Sequence, residues 1–160
     1  MKSDQLTIAI DPGTSGAVAL LDGRALIDVW DIPVVEVTRG KTKRKEIAAQ
    51  LLAEELREFQ DKAKVIVERV HAMPKQGVTS VFGFGRSFGV IEGVIAGLGM
   101  PIQYVTPAEW KKALRLGREK EDSRAMALQV WPEMSRHFAR KKDADRAEAA
   151  LIGLWSCYEK

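Results

Sequence analysis

Residues 8–21 constrain the fold of this chain more than any other stretch. They read Ile8-Ala9-Ile10-Asp11-Pro12-Gly13-Thr14-Ser15-Gly16-Ala17-Val18-Ala19-Leu20-Leu21. That is an apolar strand, a tight turn and a second apolar strand, with a carboxylate where the first strand ends. A lone charge in a buried strand is costly unless it is paired or holds a metal. Asp11, followed by Pro-Gly and two hydroxyls, therefore points to a site rather than to core. Asp22-Gly23 is a two-residue hairpin signal, so 25–30 is a third strand and the chain opens as an antiparallel meander.

The remaining pattern alternates. A polar, basic stretch, 38–45, reads as a loop. An amphipathic helix over 46–60 is expected to turn Ile47, Leu51, Leu52, Leu56 and Phe59 inward. Val65-Ile66-Val67 is a short apolar strand of the kind buried in parallel sheets, and it runs into Glu68. A long helix is predicted over 80–98, capped by Thr79 or Ser80. A fifth strand follows at 102–105. Thr106-Pro107 opens another helix, and further helices are expected at 121–130 and 145–158. With 160 residues and no repeat or linker, residues 1–160 read as one domain.

Four carboxylates stand out. Asp11 and Glu68 each end a strand. Asp145 and Glu148 lie three apart on the last helix and so share a face. Each has an ordinary reading: a turn cap for Asp11, a strand-end ion pair for Glu68, and a helix-start acid for Asp145. Asp143 reads as an N-cap or helix-dipole acid. Glu148 is harder to dismiss, because it lies a turn inside an Ala-rich helix. Brought together, the four would repel one another strongly unless they surround hard divalent cations, which take oxygen ligands. Two such ions roughly 3.5–4 Å apart stabilise both the attacking and leaving oxygens of a phosphodiester displacement.

Two resemblances attach to these residues. Asp11-x-Gly13-Thr14-Ser15-Gly16 resembles the phosphate-binding opening of actin-like kinases, which need two such domains. Ile10-Asp11-Pro12-Gly13, the Val65-Ile66-Val67-Glu68 strand end and the terminal Asp145-Arg146-Ala147-Glu148-Ala149-Ala150-Leu151 helix resemble RuvC-type Holliday junction resolvases, especially the compact phage branch. This second resemblance covers nearly the whole chain. It implies an α/β, RNase H-like fold: a mixed five-stranded sheet, three antiparallel then two parallel strands, flanked by helices. It also implies a homodimer with one active site per protomer, hydrolysing two opposed strands of a four-way DNA junction. Asp11, Glu68, Asp145 and Glu148 would hold two Mg²⁺ ions, with Mn²⁺ as a substitute. Lys111 and Lys120 lie near positions where that family carries functional lysines, with Lys112 as a neighbour in register. Glu148 stands where bacterial members often have Asp, and His71 where they often place an aromatic wedge.

The cations suit that partner. Net charge is only +3, but the distribution is uneven: Arg39, Lys41, Lys43, Arg44 and Lys45 crowd one short stretch. Such a run is ordinarily a solvated face; beside a nuclease site it neutralises phosphates. Arg86 and the loop carrying His71, Lys75 and Gln76 are further candidate DNA contacts. Gly85, Gly89, Gly93 and Gly97 recur every four residues on the long helix, at a cost of up to about 1 kcal/mol each relative to Ala. They imply a close approach, either to the chain's own sheet or to the twin helix of a dimer, with Gly85, Gly89 and Gly93 the candidate interface. The four tryptophans read as packing residues, as does the single cysteine, Cys157.

The start Met-Lys-Ser-Asp-Gln has no signal-peptide core, and no membrane segment is expected. Cytoplasm, of a bacterium or a phage-infected cell, is the expected compartment. Three functions stay open on sequence: a junction resolvase, a metal nuclease of the same fold acting on flaps or forks, and a phosphate-binding or kinase-like protein without nuclease activity. A branch-migration partner is not legible.

Overall fold

The computed structural model describes residues 5–159; Met1–Asp4, within the start judged above to have no signal-peptide core, and Lys160 lie outside the described residues. Strands β1 (Leu6–Asp11), β2 (Ala17–Asp22) and β3 (Ala25–Asp31) form the expected meander, and β6 (Ala63–Glu68) and β7 (Ile102–Val105) complete a five-stranded sheet in the order β3-β2-β1-β6-β7. β1 runs antiparallel to β2 and parallel to β6, and β6 runs parallel to β7. Between them lie α1 (Ala49–Arg57) and α2 (Val78–Gly97); after β7 come α3 (Pro107–Ala113), α4 (Lys120–Val130) and α5 (Ala144–Trp155).

Alternation along the strands sorts residues into two cores. Ile8, Ile10, Val65 and Val67 face one side, where Leu52, Leu56, Ile91 and Ile95 of α1 and α2 cover them. Ala9, Ala17, Ala19 and Ile66 face the other, against Ala147, Ala150, Leu151 and Leu154 of α5. The small residues there let α5 sit close. A Cβ added to Gly153 would lie 2.2 Å from a methyl of Leu21, so any side chain at that crossing would have to displace the buried Leu21 side chain. Because side chains alternate with period two, Asp11 shares the face of Ala9, and Glu68 that of Ile66. Both carboxylates therefore point to the α5 side.

Several sequence expectations are corrected. The basic stretch 38–45 is not a loop: β4 (Val34–Arg39) and β5 (Thr42–Ile47) form a separate two-stranded antiparallel sheet turning at Gly40, whose φ is +63°. Val35 and Val37, two apart, and the Arg39-Gly40-Lys41 turn carried that signal beneath the charge. Helix α1 consequently starts three residues later than expected; Ile47 is buried from a strand, and Leu51 is exposed. α2 begins at Val78 with Gly77 before it, so Thr79 and Ser80 lie inside the first turn and cap nothing. α5 ends at Trp155, leaving Cys157 exposed rather than packed. By length and composition α2 is apolar enough to cross a membrane, contrary to the sequence reading. Arg86 and Glu92 interrupt it, and buried Ser87, Ile91 and Ile95 seat one face on the sheet.

Candidate functional site

Strand register explains why distant acids meet. Ile10 pairs with Val67 across parallel β1 and β6, so Asp11 and Glu68 leave adjacent strand ends on the same face. The first turns of α5 pass over those ends. Carboxylate oxygens of Asp11, Asp145 and Glu148 lie within 4.8 Å of one another. Glu68 stands beside this trio. Its carboxylate accepts a hydrogen bond of 2.6 Å from the Trp110 indole N–H, and its charge is felt at Asp11.

The turn after Asp11 is built to bring the backbone close. Gly13 has φ +124°, and the Gly16 N–H donates to the Gly13 carbonyl at 3.1 Å. A Cβ on Gly16 would fall 2.0 Å from the Asp11 carbonyl oxygen. Only glycine allows the chain to fold back on itself here, and that fold-back fixes the direction of Asp11.

Burial makes these charges expensive. Asp11 is 8% exposed, and Glu68 and Glu148 are each 6% exposed. Burial holds the Asp11 carboxyl well above the ordinary carboxylate range, reinforced by the charges of Glu68, Glu148 and Asp145 and opposed by Lys120. Glu68 is also raised, first by burial and then by Glu148, against the lowering effect of the Trp110 bond and of Lys111 and Lys120. Two lysines act as internal counter-ions: Lys111 Nζ lies 3.0 Å from Glu148, and Lys120 bonds Asp145. Burial pulls the Lys120 ammonium down, but the Asp145 bond and the charges of Asp145, Glu148 and Asp11 outweigh this and raise it. Buried Ser123 reaches Glu148 at 3.4 Å. The donor set is all oxygen, buried, mutually repelling and clustered, which fits a hard divalent cation.

Other expected residues divide. Lys111 and Lys120 reach the cluster, whereas Lys112 is exposed on the outer side of α3. Asp143 is apart from the cluster: it holds Arg140 through its side chain and accepts from the Arg140 N–H at 2.9 Å. His71, Lys75 and Gln76 lie on the exposed segment after β6, where Lys75 has φ +70° and Gln76 accepts from the Met73 N–H at 3.0 Å. Arg39, Lys41, Lys43 and Arg44 are exposed along the β4–β5 hairpin. Gly85, Gly89, Gly93 and Gly97 do not abut the chain's own sheet, because a Cβ at any of them would meet nothing within 4 Å. Trp110 and Ser123 were missed as site residues. Trp110 looked like packing, and its fully buried ring is that as well; only the fold reveals that its N–H faces Glu68.

One solved structure, "T. thermophilus RuvC in complex with Holliday junction substrate", matches with a TM-score of 0.54 at 16% sequence identity over 96% of this chain and 94% of that one. The fold is that of RuvC. A second match, a Thermus thermophilus RuvC structure, has a TM-score of 0.47 at 15% identity and covers 92% of each chain. No protein-family profile matches the sequence, and neither does any curated protein. In this chain the ends of β1 and β6 lie under α5, which is where the acid cluster lies.

Proposed function

We propose that this chain is a structure-specific endonuclease that resolves four-way DNA junctions by metal-dependent hydrolysis of two opposed strands. The observation that carries this reading is the convergence of Asp11, Asp145 and Glu148, with Glu68 beside them, on the RuvC fold. These four acids would hold the divalent ions, two Mg²⁺ per site with Mn²⁺ as substitute. When bound, the ions polarise the phosphodiester and lower the pKa of an attacking water.

The chain's own residues do the rest. Trp110 and Ser123 orient Glu68 and Glu148. Lys111 and Lys120, held beside the cluster by Glu148 and Asp145, would meet the charge of the scissile phosphate. Arg39, Lys41, Lys43 and Arg44 on the hairpin, Arg86 on α2, and Lys75 and Gln76 after β6 neutralise flanking phosphates. A four-way junction has two-fold symmetry, so an isologous dimer matches it. The uncovered glycine stripe of α2, centred on Gly89, is where we place that contact. The cytoplasm of a bacterial or phage-infected cell is the compartment we assign.

The test offers equimolar labelled four-way junction, flap and linear duplex with Mg²⁺ and maps the cuts. Paired, symmetric cuts at the junction are expected. Preferential flap or fork cutting would favour the alternative nuclease; no cutting, with ATP binding that survives Glu148→Gln, would favour a phosphate-binding protein.

A further inference from the structure

A cleft of about 330 Å³ opens between the β4–β5 hairpin, the turn after Asp11 and the first half of α2. Its walls include Thr14, Arg44, Lys45, Phe82, Phe84 and Arg86. The Phe84 ring packs on the backbone of that turn, 3.9 Å from where a Cβ of Gly13 would be. The cleft therefore begins two residues from Asp11. We propose that it receives one unstacked nucleotide of a DNA strand, with the base against the phenylalanines and its phosphates on Arg44 and Lys45. This rests on the reading above for the class of ligand, DNA, though not for the junction.

Three observations support that occupant. The first is charge. Four cations line the cleft against one carboxylate, Glu46, and that carboxylate is already engaged by Arg39 at 3.0 Å and Arg86 at 2.5 Å. Arg44 and Lys45 form no ion pair among the described residues, so an anion is the complementary guest. A second copy of this cationic cleft would meet like with like.

The second is the exposed aromatic. Phe82 is 71% exposed beside this positive rim. Aromatic faces flanked by cations are the means by which proteins hold unpaired bases, stacking the base and neutralising the backbone together. In intact duplex the base faces are occupied by their neighbours, so only an unstacked nucleotide can use the ring.

The third is space. Gly83 also lines the cleft, and a Cβ there would meet nothing within 4 Å. The helix leaves bare backbone where a side chain would fill the cavity. The volume lies at the small end of the range for ligand sites, about 300–1,000 Å³, and suits one nucleotide rather than a longer segment.

The test measures binding, without cleavage, in EDTA. Fluorescence anisotropy compares a duplex carrying one unpaired thymidine with the same duplex fully paired. Wild type is expected to favour the bulged duplex by about ten-fold, the scale of one base–aromatic stack. Phe82→Ala should remove that preference, and Phe82→Trp should retain it. Gly83→Leu should remove it by filling the cleft. Both altered positions are exposed, so thermal melts should show intact folds. Equal wild-type affinity for the two duplexes would overturn the proposal. So would a preference that survives Phe82→Ala, or a Phe82→Ala protein that changes oligomeric state and keeps the preference. A protein that cuts no junctions yet shows the Phe82-dependent preference would refute the resolvase reading alone. One that resolves junctions without the preference would refute the cleft alone.

Discussion

Replacing Asp11 by Asn should abolish cleavage and, in the absence of divalent ions, make the protein more stable. Oxygens of Asp11, Asp145 and Glu148 lie within 4.8 Å of one another. At that spacing, with an effective dielectric of about 20, each like-charge pair costs about 3.5 kcal/mol. Lys120 and Lys111 hold Asp145 and Glu148 and offset much of this. No side chain donates to Asp11 among the described residues. A net gain of about 1–3 kcal/mol for Asp11→Asn remains. For a chain of this size that corresponds to a rise in Tm of about 3–10 °C in EDTA.

The pH dependence has a definite sign. The Asp11 carboxyl is raised above the ordinary range, so between about pH 4 and its raised value the folded state binds more protons than the unfolded one. Stability of the metal-free wild type therefore falls as pH rises through that window. Asp11→Asn should flatten the fall, and Mg²⁺ should restore wild-type stability without affecting the variant. Calorimetry across pH, with and without Mg²⁺, measures all of this. Asp145→Asn supplies the control: it strands Lys120, so its gain should be smaller. An Asp11→Asn protein that melts at or below wild type in EDTA, or that cuts DNA normally, would refute the reasoning.

Four further outcomes are expected. Trp110→Phe keeps the packing but leaves buried Glu68 without its donor, at about 1–3 kcal/mol; kcat should fall with KM for junction DNA unchanged, and a change confined to KM would argue against the role. Gly153→Ala should overpack the α5–β2 crossing and lower stability by about 1–3 kcal/mol, read as a drop in denaturation midpoint with no change in m-value. Changing Lys41, Lys43 and Arg44 together to Ala should weaken DNA binding and flatten the dependence of log K on log salt; an unchanged slope would make the hairpin a solvated face. Gly89→Leu should yield monomers that nick one strand by light scattering and cut mapping, and a variant that stays dimeric and cuts both strands would remove α2 from the interface.

The five-stranded sheet was legible because its strands are nearly pure: Val65-Ile66-Val67 and Ile8-Ala9-Ile10 have no competing helical period, and Asp22-Gly23 marks the hairpin. Asp11 and Glu68 could be singled out because each breaks an apolar strand at its end. Their meeting with Glu148 depended on parallel register and on α5 crossing the small-residue face. The β4–β5 hairpin was obscured because both faces are largely solvated; with so few buried residues, charge drowned the alternation that identifies a strand. Trp110 was misjudged for a related reason: periodicity reports that a ring is buried, not which way its one polar atom turns.

The hairpin leaves and rejoins the main body at a single point, where the Ala48 N–H donates to the Pro33 carbonyl at 2.9 Å. Its root is thus closed independently of what lies between. Lengthening such an excursion two-fold costs only about 0.6 kcal/mol in closure entropy. Residues 34–46 are accordingly an interchangeable cassette on a fixed frame, with Ile47 anchored in the core. Over evolutionary time, or in a graft, the cassette can be rewritten while β1, β6 and α5 stay in register. What the hairpin presents can therefore change without disturbing how the acid cluster is held.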